Sequence, residues 1–170
     1  FMLIIIFFIF STVTTFLAGL LLPRLHRTAT TKAMGWGLAL TGVAFGIWSA
    51  AVISKPDGDT LNFWISAGAA IYISALVFFT RAAVSKLRRT AQQLLTASVA
   101  VYAVILWFVR LSLPSNPGFS SDGLFYFQPH DVVSFMYIVL MAAVVLHAVQ
   151  LTSEDIREKD QMSAQTFSIA

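Results

Sequence analysis

The sequence predicts an all-α integral membrane bundle of five transmembrane helices, N-terminus outside and C-terminus cytoplasmic. Three observations predict it. The 170 residues are 58% hydrophobic and 11% charged, where soluble domains carry roughly a quarter charged residues. A soluble fold of this size cannot hide so much apolar surface, so the surplus faces lipid. Five segments reach the length of about 20 mostly apolar residues that a bilayer span needs. The basic residues between them gather in alternate loops, as a threaded chain requires.

The first segment runs from Met2 to Leu22 and is ended by Pro23. It lacks the basic n-region and small-residue cleavage site of a signal peptide, so it is read as a retained helix. The second covers about Ala33 to Ile53 and is ended by Ser54-Lys55-Pro56-Asp57-Gly58. The third covers Leu61 to Thr80, and the fourth Gln92 to Leu113, ended by Pro114. The fifth covers Val132 to Leu151, with Asp131 placed to cap its start. No strand alternation competes. Residues 1–152 form the transmembrane domain and 153–170 a polar cytoplasmic tail.

Orientation follows from Lys and Arg. Of the 11 present, only Lys55 and Arg110 fall on the side of the second and fourth loops. Arg24, Arg27, Lys32, Arg81, Lys86, Arg88, Arg89, Arg157 and Lys159 fall on the other. The 8 acidic residues divide evenly. The positive-inside rule counts cations rather than net charge, and it places the first and third loops and the tail in the cytoplasm. The expected location is a bacterial inner membrane. The net charge of +3 and pI near 9.5 are explained by this topology, so no nucleic-acid partner is expected. The chain has no cysteine, which excludes disulfides, thiol catalysis and cysteine metal sites.

Small residues mark candidate packing faces. Gly42, Gly46 and Ala50 recur at four-residue spacing in the second segment, and Ser66, Ala70 and Ser74 in the third. Such faces let helix backbones approach closely in lipid, so these two helices are expected to pack on one another. A subunit interface is the sharper alternative. Ser11, Thr12, Thr14 and Thr15 lie at mid-depth in the first segment. Their hydroxyls bond either to their own helix carbonyls or to a neighbouring helix.

The fourth loop, Pro114 to His130, interleaves turn residues with Phe119, Leu124, Phe125, Tyr126 and Phe127. That pattern suggests an ordered cap or interfacial segment. Aromatic-belt anchoring is the favoured reading, and a partner-docking or ligand-covering loop the alternative. Aromatic residues make up 14% of the chain, with Trp36, Trp48, Trp64, Trp107, Tyr72, Tyr102 and Tyr137 spread over four helices. They suit lipid contact, or a groove for an apolar pigment, quinone or haem.

Candidates for chemistry are few. No Asp, Glu, Lys or Arg falls near the middle of a predicted helix, which argues against a proton pump, an ion-coupled transporter or a retinal protein. Arg81 and Arg110 lie near helix ends, where long side chains snorkel to the interface. His147, inside the cytoplasmic end of the fifth segment, is the candidate ligand for a haem or pigment; His26 lies on the same side. His130-Asp131 is first a cap and turn. No catalytic motif is present in the sequence, so a non-catalytic protein is expected.

The tail, from Ser153-Glu154-Asp155-Ile156-Arg157-Glu158-Lys159-Asp160-Gln161 to Phe167-Ser168-Ile169-Ala170, resembles the charged linker and the segment before the phosphoacceptor motif of membrane sensor histidine kinases. The resemblance covers about twenty residues, and the phosphoacceptor histidine would lie beyond Ala170. It implies a transmembrane input module of a signalling protein. The favoured expectation is a non-catalytic accessory subunit of a larger membrane complex, contacting lipid, other membrane subunits or a second copy of itself; the input module is the alternative.

Overall fold

The computed structural model describes residues 2–25, 27–113, 115–121, 125–146 and 149. Its long elements are α-helices: α1 (Met2–Leu25), α2 (Ala29–Ser54), α3 (Gly58–Ala83) and α4 (Arg89–Ser112), followed after a hairpin by α5 (Asp131–Leu146). Helices α2, α3 and α4 are each long and apolar enough to cross a membrane; the apolar stretches Ile9–Leu25 and Asp131–Leu146 are shorter. The outward faces are apolar: Phe10 is 66%, Phe63 70% and Phe135 66% exposed. In water such a surface would be unstable, and in lipid it is the ordinary one.

The helix ends extend past the apolar segments because backbone hydrogen bonding continues where hydropathy stops. Pro23 does not end α1; it sits within its last turn. The Pro23 ring occupies the space where Gly35 of α2 lacks a side chain. The loop before α3 is three residues, Lys55 to Asp57, rather than the seven between the apolar segments. Lys55 closes α2 in the left-handed region (φ 45°), and the Asp57 carboxylate accepts from the Thr60 N–H at 3.0 Å, so α3 begins at Gly58. The N-cap of α2 is Thr28, whose hydroxyl accepts from the Thr31 N–H while the Thr31 hydroxyl accepts from the Thr28 N–H, a reciprocal capping box. At α5 the expected cap is displaced by one residue. His130, not Asp131, accepts from the Val132 N–H through Nδ1 at 3.3 Å, and the His130 carbonyl accepts from the Ser134 N–H.

Helix α2 lies between α1 and α3, and α4 and α5 pack on α3. Of the two glycines singled out in α2, Gly42 faces α1, and Gly46 touches α1 while lining a groove shared with α3. A Cβ on Gly42 would meet the backbone of Phe16, and one on Gly46 would touch Thr12. Gly19 of α1 completes that seam against Gly35 and Ala39. The α2–α3 contact instead uses Gly37 beneath the Phe79 ring and Gly68 beneath the Trp48 indole. The physical rule holds at every one of these positions: where a side chain is missing, a neighbour moves in. Ala50 lines an open groove between α2 and α3. Ala70 and Ser74 line a groove between α3 and α4, and Ser66 is half-buried. In α1, Thr14 and Thr15 donate to the carbonyls of Phe10 and Ser11 in their own helix.

Two apolar clusters hold the bundle. One joins Ile73 and Leu76 of α3, Ala103 and Leu106 of α4, and Val133 and Leu140 of α5. Tyr102 reinforces it by donating to the Met136 carbonyl at 3.1 Å. The second joins Ala51, Leu61 and Ile65 at the end of the bundle where α2 stops and α3 begins. Here the fourth loop departs from the expected absence of strands. It forms a hairpin, β1 (Asn116–Phe119) and β2 (Phe125–Gln128), antiparallel with Asn116 opposite Gln128 and Phe119 opposite Phe125. Phe119, Phe125 and Phe127 pack against the second cluster. The Ser115 hydroxyl donates to the Asn62 side-chain oxygen at 2.9 Å, tying the hairpin to α3.

Candidate functional site

Beneath the hairpin lies a cavity of 310 Å³. Its walls come from every element that meets at this end. Trp48 and Val52 enter from α2; Ile65, Ala69 and Tyr72 from α3; Arg110 from α4; Phe125 and Phe127 from the hairpin; Pro129 and Tyr137 from its base and from α5. Periodicity aims them. Ala103, Leu106 and Arg110 follow one inward stripe of α4, and Val133, Tyr137 and Leu140 one stripe of α5. A helix that sends Leu106 into the core sends Arg110, one turn later, into the same interior.

Trp48 and Tyr72 build one side, backed by Phe45. Phe45, Trp48 and Tyr72 stand with ring centroids 5.7, 5.8 and 6.4 Å apart. Two of their polar atoms are already engaged. The Trp48 Nε1–H donates to the Ile65 carbonyl at 3.2 Å, and the Tyr72 hydroxyl lies 3.7 Å from the Met141 sulfur.

Arg110 is the exception in this wall. It is 4% exposed, and its Nε and Nη2 are buried with no hydrogen-bond partner among the described residues. Its guanidinium carbon lies 5.1 Å from the centre of the Phe127 ring, a contact that offsets part of the desolvation of the cation. The sequence had assigned Arg110 to the interface by snorkelling; the structure turns it inward because the hairpin covers the route out. The missed signal was its spacing from Ala103 and Leu106. A cation held in an apolar cavity is expensive. It is also permanent, because arginine does not give up its proton.

The hairpin covers this cavity, so the aromatic loop does more than sit at the membrane surface: Phe125 and Phe127 line the space and Tyr126 faces out, 52% exposed. Lys55 lies 5.7 Å over the outer Phe119 ring. A shallow polar groove formed by Asn116, Gln128, Pro129, His130 and Asp131 opens beside it. His130 and Asp131 gather no third ligand; among the described residues no group of three metal-binding side chains occurs. His147, the predicted ligand residue, lies outside the described residues, as do His26 and the tail that resembles the kinase linker. Of the packing residues, Gly42 is buried in the α1–α2 seam, while Ala50, Ala70 and Ser74 line grooves that do not include Arg110. No family model, characterised protein or solved structure matches this chain, so the site is read from its own geometry.

Proposed function

We propose that this chain is a non-catalytic membrane module that binds a small, mostly apolar ligand beneath its hairpin, and that it serves as the input module of a signalling protein. The observation that carries the reading is the cavity with Arg110 buried and unpartnered in its wall. Among the described residues that line the cavity, none is a carboxylate, histidine or cysteine. Apolar walls with one placed polar group are the usual form of a binding pocket. In the topology we propose, all five helices span a bacterial inner membrane, the hairpin lies outside, and the α3–α4 turn lies in the cytoplasm with its cluster of Lys86, Arg88 and Arg89. A ligand at the hairpin end touches α2, α3, α4 and α5 at once. It can therefore shift α5, from which the charged tail leads to the cytoplasm, if it binds two arrangements of these helices unequally.

The second reading is an accessory subunit of a membrane complex. The open groove of Gly46, Ala50 and Ala67, rimmed by Phe63 and Trp64, favours it, since small residues on an outward face admit a neighbouring helix.

The test is direct. The chain, in nanodiscs, is titrated with anionic, neutral and cationic amphiphiles of similar size while tryptophan emission is followed. A saturable response, lost in Ala69→Trp, which fills the cavity, supports the ligand-binding reading; no response to any probe ends it. Whether the reading frame continues past Ala170 into a kinase core then separates input module from accessory subunit.

A further inference from the structure

We propose that the ligand of this cavity is a monocarboxylate with a compact apolar body, its two oxygens held by the Nε–H and Nη2–H of Arg110. The inference rests on the ligand-binding reading above and names the chemical class.

The guanidinium is the starting point. Its two buried, unpartnered nitrogens are Nε and Nη2. These share one edge of the planar group and direct parallel N–H bonds, the geometry that meets both oxygens of a carboxylate. A neutral carbonyl, such as that of a quinone, can accept from this edge but leaves the charge uncompensated. An ammonium is repelled. No acidic side chain pairs with Arg110 among the described residues. Its guanidinium meets the Phe127 face at 5.1 Å and has Tyr137 beside it in the cavity wall, but a π face supplies far less than a counter-ion.

The walls specify the remainder of the molecule. With the Trp48 N–H committed to Ile65 and the Tyr72 hydroxyl set against Met141, the Arg110 edge is the charged anchor, with the Tyr137 side chain beside it, and an apolar body is required elsewhere. The volume of 310 Å³ lies at the small end of ligand pockets, which run from about 300 to 1,000 Å³. It suits one short chain or one ring, not a two-chain lipid. Such an acid could come from lipid breakdown or from solution, and an aliphatic and an aromatic probe distinguish these sources.

The experiment uses the chain in phosphatidylcholine nanodiscs, with empty discs as the partition control. Binding of octanoate, phenylacetate, octanol and octylamine is measured by calorimetry and saturation-transfer NMR. Carboxylates are expected to bind at least tenfold more tightly than octanol. Arg110→Met is expected to lose that preference while still binding octanol, and Arg110→Lys, which keeps the charge but not the paired edge, to fall between. Octanoate preferred over phenylacetate identifies a chain-like source, and the reverse a ring-like solute; either supports the class. A further arm needs no variant: carboxylate binding to the wild type should fail as the probe is protonated below its own pKa, while octanol binding stays level. Octanol binding as well as octanoate, or Arg110→Met retaining the preference, overturns the carboxylate assignment and leaves the cavity a ligand site. Failure of all four probes removes the underlying reading instead.

Discussion

Substituting Gly42 by alanine tests the packing of α1 on α2, and the structure supplies its own control four residues away. A Cβ at Gly42 would lie 2.8 Å from both the Cβ and the backbone nitrogen of Phe16 and 2.9 Å from its Cα. Backbone cannot swing aside like a side-chain tip, so α1 must retreat. Ordinary contact begins near 3.4 Å, so the retreat is about 0.6 Å, enough to forfeit roughly a quarter of the dispersion well at each neighbouring contact. Overpacking of this kind costs about 1–3 kcal/mol. The gain in helix propensity from Gly to Ala does not offset it, because a separated α1 and α2 remain helical in a bilayer that cannot solvate free backbone groups. At Gly46 the added Cβ would meet only the Thr12 methyl at 3.4 Å, an ordinary contact, and the change should lie within about 0.5 kcal/mol of zero. The assay is reversible unfolding in mixed micelles, followed by circular dichroism and by tryptophan emission. Gly42→Ala should lower the midpoint clearly, and Gly46→Ala should not. Equal stability of the two variants would refute the derived seam, as would greater damage at Gly46.

Three further outcomes follow from particular contacts. Thr28→Ala removes the hydroxyl that accepts from the Thr31 N–H and leaves the Thr28 N–H bond to the Thr31 hydroxyl; it should cost about 0.5–2 kcal/mol, and amide exchange should quicken in the first turn of α2 and not in α3. The Asp57 carboxyl is held below its usual 3.8 by the Thr60 hydroxyl and then by the Thr60 N–H. Its contribution is therefore complete above that value and is lost as pH falls through the lower folded value. Exchange in the first turn of α3 should rise below about pH 4, and Asp57→Asn, which still caps, should abolish the pH dependence. Gly68→Ala places a methyl against the Trp48 indole and should break the 3.2 Å bond to the Ile65 carbonyl. Trp48→Phe deletes the same bond at about 0.5–1.5 kcal/mol. A loss of stability in Gly68→Ala without any change in Trp48 emission would contradict the contact.

The helices of this protein are legible in its sequence because lipid imposes a single test, about 20 apolar residues per span, that each long segment meets or fails on composition alone. Their true ends are not legible that way. Pro23 continues α1 and Gly58 begins α3 for reasons of hydrogen bonding that hydropathy does not contain. Small residues do not name their neighbours: Gly42 serves α1, Gly68 serves Trp48, and Ala50, Ala70 and Ser74 line grooves, since a missing side chain does not say what fills its place.

Arg110 shows the division most clearly. Its sequence position, two residues from the end of α4, is compatible with a side chain reaching water, and composition favours that outcome. Its spacing from Ala103 and Leu106 already aimed it inward. The hairpin decided the matter: Phe119, Phe125 and Phe127, distant in sequence from Ile65 and Trp48, fold over the end of the bundle where Arg110 lies. The sequence by itself determined that the chain is helical, apolar on its outer faces and asymmetric in charge, because these properties depend on residues within a turn or two of one another. The tertiary structure alone decided that one of those charges is buried in a cavity, because a lid and a pocket depend on contacts between segments that no local pattern relates.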